Sequence, residues 1–175
     1  SPLAIGVALA GGLGVLATLF RRGGQAEIAN AAGGMQTVAL AMTTAAAALT
    51  QWHYRSEPLA TAVCLVAVAA LFAWRAWRDG HLPWVHTAMV VLALALPYLG
   101  CADMVNRTPR GNTMAFGLAA LSFLWLGLTW IWKSPLLLAA RSTVLTFYGA
   151  AAAAAMVLRV LAESDPAMPA LDFSG

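Results

Sequence analysis

Charged residues are scarce in this sequence. Ten Lys and Arg residues stand against seven Asp and Glu, while 61% of the 175 residues are hydrophobic. Nearly all the charges fall between six long apolar runs, at residues 2–20, 35–52, 58–74, 82–100, 114–132 and 143–161. None of these runs contains Asp, Glu or Lys. Proton-coupled carriers, pumps and retinal proteins generally need such a residue at membrane depth, so these classes are disfavoured.

The sequence also lacks the short motifs that carry catalysis or nucleotide binding. It has no Walker A loop and no G-x-G-x-x-G, H-E-x-x-H, C-x-x-C or G-x-S-x-G motif. Its two cysteines, Cys64 and Cys101, lie within or at the end of apolar runs, where we expect buried thiols rather than a disulfide or metal pair. Its basic residues form no block or stripe. We therefore expect a protein that is not an enzyme and has no nucleic-acid partner.

Each apolar run has the length of a membrane-spanning helix. A helix needs about 20 apolar residues to cross a hydrocarbon core roughly 30 Å thick, and no run alternates with the period of two that a membrane β-strand requires. Six of the seven Trp residues stand at or near run ends, where the indole ring favours the interface. The sequence thus predicts an all-α polytopic bundle of about six spans, forming a single transmembrane domain over residues 1–175.

The basic residues between the runs predict an orientation. Six Lys or Arg residues lie in the first, third and fifth connections, and four lie on the opposite side, counting Arg159 near the end of the last run. The positive-inside rule places the first set in the cytoplasm. Both termini are then outside the bacterial cytoplasmic membrane. Arg159 is expected to extend outward and pair with Glu163, four residues further on.

The second run carries a polar stripe. Six Thr and Gln side chains repeat there at a spacing of seven residues: Gln36, Thr43 and Thr50 form one set, and Thr37, Thr44 and Gln51 form the next. Seven residues make nearly two helical turns, so the six share one face along about 22 Å of helix. We expect an interhelical seam of hydrogen bonds along this face. The alternative is a polar lining for a substrate path in a small carrier or channel.

The fourth run contains a histidine inside an apolar segment. His86 and Met89 are three residues apart and share a helix face, where imidazole and thioether could bind copper or help to ligate haem. Met35 and Met42 of the second run could complete such a site. A bis-histidine haem would need a second histidine at depth, which the sequence lacks. We therefore expect no cofactor and a His86 side chain that hydrogen-bonds to a neighbouring helix.

Small residues recur at helical spacing near both ends of the chain. Gly6, Ala10 and Gly14 are four residues apart in the first run, and Gly149 and Ala153 repeat that spacing in the last. Such faces let helix backbones approach closely. The partner is either another helix of this chain or another protein. We expect the face of the first run to dock a partner, because a terminal helix has fewer neighbours of its own.

The pattern Met35-x6-Met42, the short basic link after it and the pattern His86-x2-Met89 carry a resemblance. They look like an uncharacterised actinobacterial family of small polytopic membrane proteins with spans rich in His and Met. The resemblance covers about residues 28–98 and implies a membrane location with no established activity. The chain departs from that pattern where a histidine would lead the second span, since Ala31 and Ala32 stand there.

Helix faces suited to packing are therefore abundant in this sequence, and residues suited to catalysis or ligand binding are sparse. We expect a non-catalytic accessory or scaffolding subunit of a larger bacterial envelope complex, such as a lipid transporter or a respiratory assembly. Its partners would be the lipid bilayer and other membrane subunits. The alternatives are the small carrier or channel based on the polar stripe, and a haem or copper protein based on His86.

Overall fold

The computed structural model of the chain describes residues 2–53, 58–102 and 111–164. This part of the protein consists of six α-helices and contains no strand, so the prediction of an all-α protein is confirmed. The helices are α1 Pro2–Arg22, α2 Ala26–His53, α3 Pro58–Asp79, α4 Leu82–Ala102, α5 Gly111–Ile131 and α6 Pro135–Ser164.

Glycine and proline set the helix ends where the chain reverses. Gly24 and Gly80 have φ angles of 77° and 69°, in the left-handed region that glycine adopts without strain. They follow α1 and α3 and make the turns into α2 and α4. Pro58 and Pro135 are the first residues of α3 and α6, where a missing backbone N–H costs no helical hydrogen bond.

The short turns produce three helical hairpins. The pairs α1–α2, α3–α4 and α5–α6 pack most closely, and the α3–α4 hairpin lies between the other two. Phe72 and Val68 of α3 belong to a core cluster shared with α1, α2 and α4. A second cluster joins α4 to α5 and α6, where the Tyr148 hydroxyl donates a hydrogen bond to the Met89 carbonyl at 3.1 Å.

Four helical segments are long and apolar enough to cross a membrane: Pro2–Arg22, Ala26–Leu49, Leu59–Asp79 and Pro135–Ala154. The segments Leu82–Leu96 and Gly117–Ile131 are apolar but shorter. Large hydrophobic side chains are exposed on the outer surface, among them Ile5, Met42 and Phe123 at 71%, 68% and 74%. Such a surface suits hydrocarbon rather than water. The chain therefore has the character of a helical membrane protein.

Three helices extend well beyond the apolar runs. α2 begins at Ala26 rather than near residue 35, α3 continues past residue 74 to Asp79, and α6 begins at Pro135 rather than near residue 143. Arg75 and Arg78, which the charge pattern placed in a connection, are therefore helical. A run of apolar residues ends at the first charge, whereas a helix can continue through charged residues.

Candidate functional site

Three arginines converge on one aspartate where α1 and α3 end. We call Arg21, Arg75, Arg78 and Asp79 the arginine cluster. Arg21 Nη1 lies 3.0 Å from Asp79 Oδ1, Arg75 Nε lies 3.2 Å from Asp79 Oδ2, and Arg78 Nε lies 2.9 Å from Asp79 Oδ1. The side chains of Arg75, Arg78 and Asp79 are only 12%, 8% and 10% exposed, whereas that of Arg21 is 46% exposed.

The two buried arginines also bind the first hairpin. Arg78 donates to the Gly14 carbonyl of α1 at 3.2 Å and to Gln36 Oε1 of α2 at 3.4 Å. Arg75 donates to the Gly33 carbonyl and to the Thr37 hydroxyl, both of α2. These bonds join α3 to both helices of the neighbouring hairpin.

An aromatic ring lies close to each of these two guanidinium groups. The Arg75 guanidinium carbon lies 4.3 Å from the centre of the Trp84 ring, and that of Arg78 lies 5.8 Å from the centre of the Trp74 ring. Trp84 in turn stacks on Phe72 with ring centroids 5.8 Å apart. A cation over an indole face is stabilised by the ring quadrupole. The cluster thus combines hydrogen bonds with contacts to aromatic rings.

The arginine cluster carries three positive charges against one carboxylate. Taking such groups out of water is costly, and the cost is recovered only when partners are close and hydrogen bonds are complete. Asp79 is the acid that these three arginines share. The arrangement fits a clamp between helices, because most guanidinium donors are already engaged by protein acceptors.

The α1 backbone reaches the cluster because Gly14 has no side chain. A Cβ atom at Gly14 would lie 2.5 Å from Gln36 Nε2 and 2.6 Å from Trp74 Cζ3. Gln36 is fully buried, and its Nε2 has no hydrogen-bond partner among the described residues. Sequence analysis missed this cluster. The signal available was the spacing of Arg75 and Asp79, four residues apart and hence on one helix face.

The polar stripe of α2 is partly buried. Gln36 and Thr43 are 0% and 6% exposed. The Thr37, Thr43 and Thr44 hydroxyls donate to carbonyls four residues earlier, those of Gly33, Ala39 and Leu40. The three threonines thus donate within their own helix. Two stripe side chains also accept bonds from α3, the Thr37 hydroxyl from Arg75 and the Gln36 carbonyl oxygen from Arg78. Thr50 and Gln51 belong to α2, but their side chains lie outside the described residues.

The possible ligands for copper or haem lie on different surfaces. Met89 is buried in the cluster with α5 and α6, whereas Met35 and Met42 are 63% and 68% exposed on the outside of α2. His86 is half-buried, and its Nε2 has no partner in the described part of the chain. No group of three His, Cys, Asp or Glu side chains suited to a metal occurs among those residues either.

The two small-residue faces have different surroundings. Ala10 is fully buried, and a Cβ at Gly6 would overlap the Thr43 hydroxyl oxygen of α2, so the face of α1 packs inside the molecule. We had expected this face to dock another protein. In the structure it packs against α2 of the same chain. Gly149 and Ala153 of α6 are exposed, and a Cβ at Gly149 would meet nothing within 4 Å.

A cleft lined by tryptophans lies between the central hairpin and the third hairpin. Its volume is about 390 Å³, and α3, α4, α5 and the start of α6 form its walls. We call it the tryptophan cleft, after the side chains of Trp74, Trp77, Trp125 and Trp132 that line it. A shallower groove shares Trp77, Ser134 and Leu136 with it and reaches the turn at Gly80. Sequence reasoning did not predict this cleft, because it is formed by residues from four helices.

Comparison with models of protein families, with curated proteins and with solved structures finds no match for this chain. The function is therefore inferred from the residues of this chain and their geometry.

Proposed function

We propose that the protein is a non-catalytic accessory or scaffolding subunit of a larger complex in the bacterial cytoplasmic membrane, with six spans and both termini outside. This complex would be, for example, a lipid transporter or a respiratory assembly. Membership of the actinobacterial family that the His and Met pattern resembles stays a prediction.

The observation that carries this proposal is the open small-residue face of α6. Gly149, Ala150 and Ala153 are exposed together. No side chain or backbone atom of the described residues would touch a Cβ placed at Gly149. In a membrane, small residues on an outer face allow close packing with another helix, and this packing is a main attraction between spans.

The arginine cluster supports the same proposal. Its guanidinium groups bind Asp79, Gly14 and Gln36, so the bonds that we describe join helices of this chain. The described side chains of the polar stripe already have protein partners: Thr43 and Thr44 donate to carbonyls of their own helix, and Gln36 accepts a bond from Arg78. This favours the scaffolding proposal over a polar path in a carrier or channel.

Purification in mild detergent, followed by mass spectrometry of the proteins that co-purify, tests the proposal. We expect Gly149→Leu to release the partner, because the added bulk fills the surface where backbones meet. The matched control is Gly12→Leu on α1, where a Cβ likewise meets nothing within 4 Å. If no membrane subunit co-purifies with the unchanged protein, the accessory function is wrong. If Gly149→Leu retains its partner as Gly12→Leu does, the docking face lies elsewhere.

The haem or copper alternative is favoured by one observation, the buried and unpartnered Nε2 of His86. A visible absorption spectrum and a metal analysis of the purified protein decide it directly. Bound haem or stoichiometric copper that is lost in His86→Ala would replace the scaffolding proposal.

A further inference from the structure

The tryptophan cleft begins at the level where the spans end. Its groove reaches Gly80, directly after the span that ends at Asp79, and Pro135, where another span begins. From there the cleft continues inward to Ala73, which is six residues, or about 9 Å of helix, deeper than Asp79. The cleft therefore runs from the membrane surface toward the hydrocarbon core.

The chemistry of the lining changes along that direction. The inner part is lined by apolar side chains such as Ala73, Val85 and Ala88. At the mouth, Ser134 lines both the cleft and the groove, and the exposed Lys133 precedes it. Trp77 and Trp132, which are 75% and 66% exposed, flank this mouth as interfacial tryptophans do.

The start of α6 adds positive polarity at the mouth. The bond from the Leu138 N–H to the Ser134 carbonyl, at 3.0 Å, is the first of this helix. The N–H groups of Leu136 and Leu137 precede it and so have no carbonyl four residues earlier within the helix. Both residues line the cleft. A helix start of this kind favours an anion, and Lys133 beside it supplies a full positive charge.

We propose that the tryptophan cleft binds one anionic glycerophospholipid. An acyl chain occupies the apolar inner part, and the phosphate lies at the mouth near Lys133 and the start of α6. A lipid has this order of groups, polar at the membrane surface and apolar below it. A partner helix fits less well, because a helix is about 10 Å wide with a 5.4 Å pitch, so a cleft of 390 Å³ holds only about one turn. This lipid site is independent of the proposed scaffolding function.

Native mass spectrometry of the delipidated protein, titrated with phosphatidylglycerol or with phosphatidylcholine of identical chains, tests the site. We expect one lipid to bind tightly and phosphatidylglycerol to bind about fivefold more strongly, as one basic residue near the surface provides. Lys133→Gln should reduce that preference to less than about twofold. Arg141→Gln, which removes an exposed charge from a residue outside the lining of the cleft and of the groove, should leave it unchanged.

The acyl part of the site is tested by filling it. Ala73→Phe should abolish tight binding of either lipid, whereas Ala70→Phe, an exposed position on α3 outside the cleft lining, should retain it. Melting curves show whether both variants are folded, and the Lys133→Gln comparison does not depend on them. Equal affinity for the two lipids in the unchanged protein, or tight binding retained in folded Ala73→Phe, would overturn the proposal.

A photoreactive benzoylphenylalanine in place of Trp77 identifies the occupant in the native membrane. Trp77 is 75% exposed at the mouth, so the larger side chain can be accommodated. A cross-link to phospholipid supports the proposal. A cross-link to another protein would mean that a partner helix covers the cleft, and the lipid site would be wrong.

Discussion

Asp79 accepts hydrogen bonds from Arg21, Arg75 and Arg78, and it is only 10% exposed. Without its charge, the two buried guanidinium groups would have no acidic partner among the described residues. Removing one member of a buried ion pair leaves the other charge buried without a partner. The stability lost in this way is larger than the stability that the intact pair adds. The role of Asp79 is evident only from the side chains around it, since an aspartate at a helix end is common in sequences.

We predict that Asp79→Asn lowers the free energy of unfolding by about 3 kcal/mol, which corresponds to a fall of about 6–12 °C in melting temperature. The measurement is thermal unfolding of the protein in detergent or nanodiscs. Glu27→Gln is the control, because Glu27 is an exposed acid at the start of α2 and its loss should change stability by less than about 0.5 kcal/mol. Equal melting temperatures for the two variants would show that the arginine cluster needs no counter-ion.

A second prediction concerns two neighbouring glycines of α1. Gly14→Ala should destabilise the protein by about 1–3 kcal/mol, because the new methyl group overlaps Gln36 and the rigid Trp74 ring. Gly12→Ala should be neutral or stabilising by up to about 1 kcal/mol, because its Cβ points into open space and alanine favours a helix. Chemical or thermal unfolding of both variants provides the comparison, and the reverse order of stabilities would contradict the packing described for Gly14.

At the scale of elements, α3 connects the first hairpin to the rest of the molecule. Arg75 and Arg78 donate to carbonyls or side chains on α1 and α2, and the same two guanidinium groups contact the rings of Trp84 and Trp74. A planar guanidinium group has five N–H donors in a fixed fork and a flat face that stacks on an aromatic ring, a combination that neither lysine nor glutamine offers.

We therefore predict that Arg78→Gln loosens the contact between the first hairpin and α3. Spin labels at Gly12 of α1 and Ala120 of α5, both exposed, would report this as a broader distance distribution by pulsed electron paramagnetic resonance. Arg141→Gln on α6 is the control and should leave the distribution unchanged. A distribution of unaltered width in Arg78→Gln would mean that apolar packing alone holds the hairpin.

The sequence predicted that the six helices exist, but it did not predict which helices pack together. Each of the six apolar runs corresponds to a helix, because hydrophobic length is a local property. The start of α2, the end of α3 and the start of α6 were missed, because charged residues such as Glu27, Arg75 and Arg141 end an apolar run but do not end a helix. The stripe of α2 predicted burial at Gln36 and Thr43, but a threonine can also satisfy its hydroxyl on its own helix, as Thr43 does. Spacing identifies a small-residue face and cannot choose its partner.

At the scale of the whole molecule, the charged end of the bundle defines the predicted orientation. The arginine cluster and the mouth of the tryptophan cleft both lie beside Asp79 and Gly80, at the turn between α3 and α4. The positive-inside rule places this end in the cytoplasm. An anionic lipid at the cleft would then come from the cytoplasmic leaflet. With six spans, both termini would lie on the outer side of the membrane.

Cysteine labelling of intact cells tests the orientation and the number of spans together. In a background where Cys64 and Cys101 are replaced by alanine, single cysteines at Thr108, Ser164 and Gly80 are treated with a membrane-impermeant maleimide from outside. We predict labelling at Thr108 and Ser164, and labelling at Gly80 only after the membrane is permeabilised. Labelling of Gly80 in intact cells, together with protection of Thr108 and Ser164, would reverse the orientation. Labelling at only one of Thr108 and Ser164 would contradict the six-span bundle.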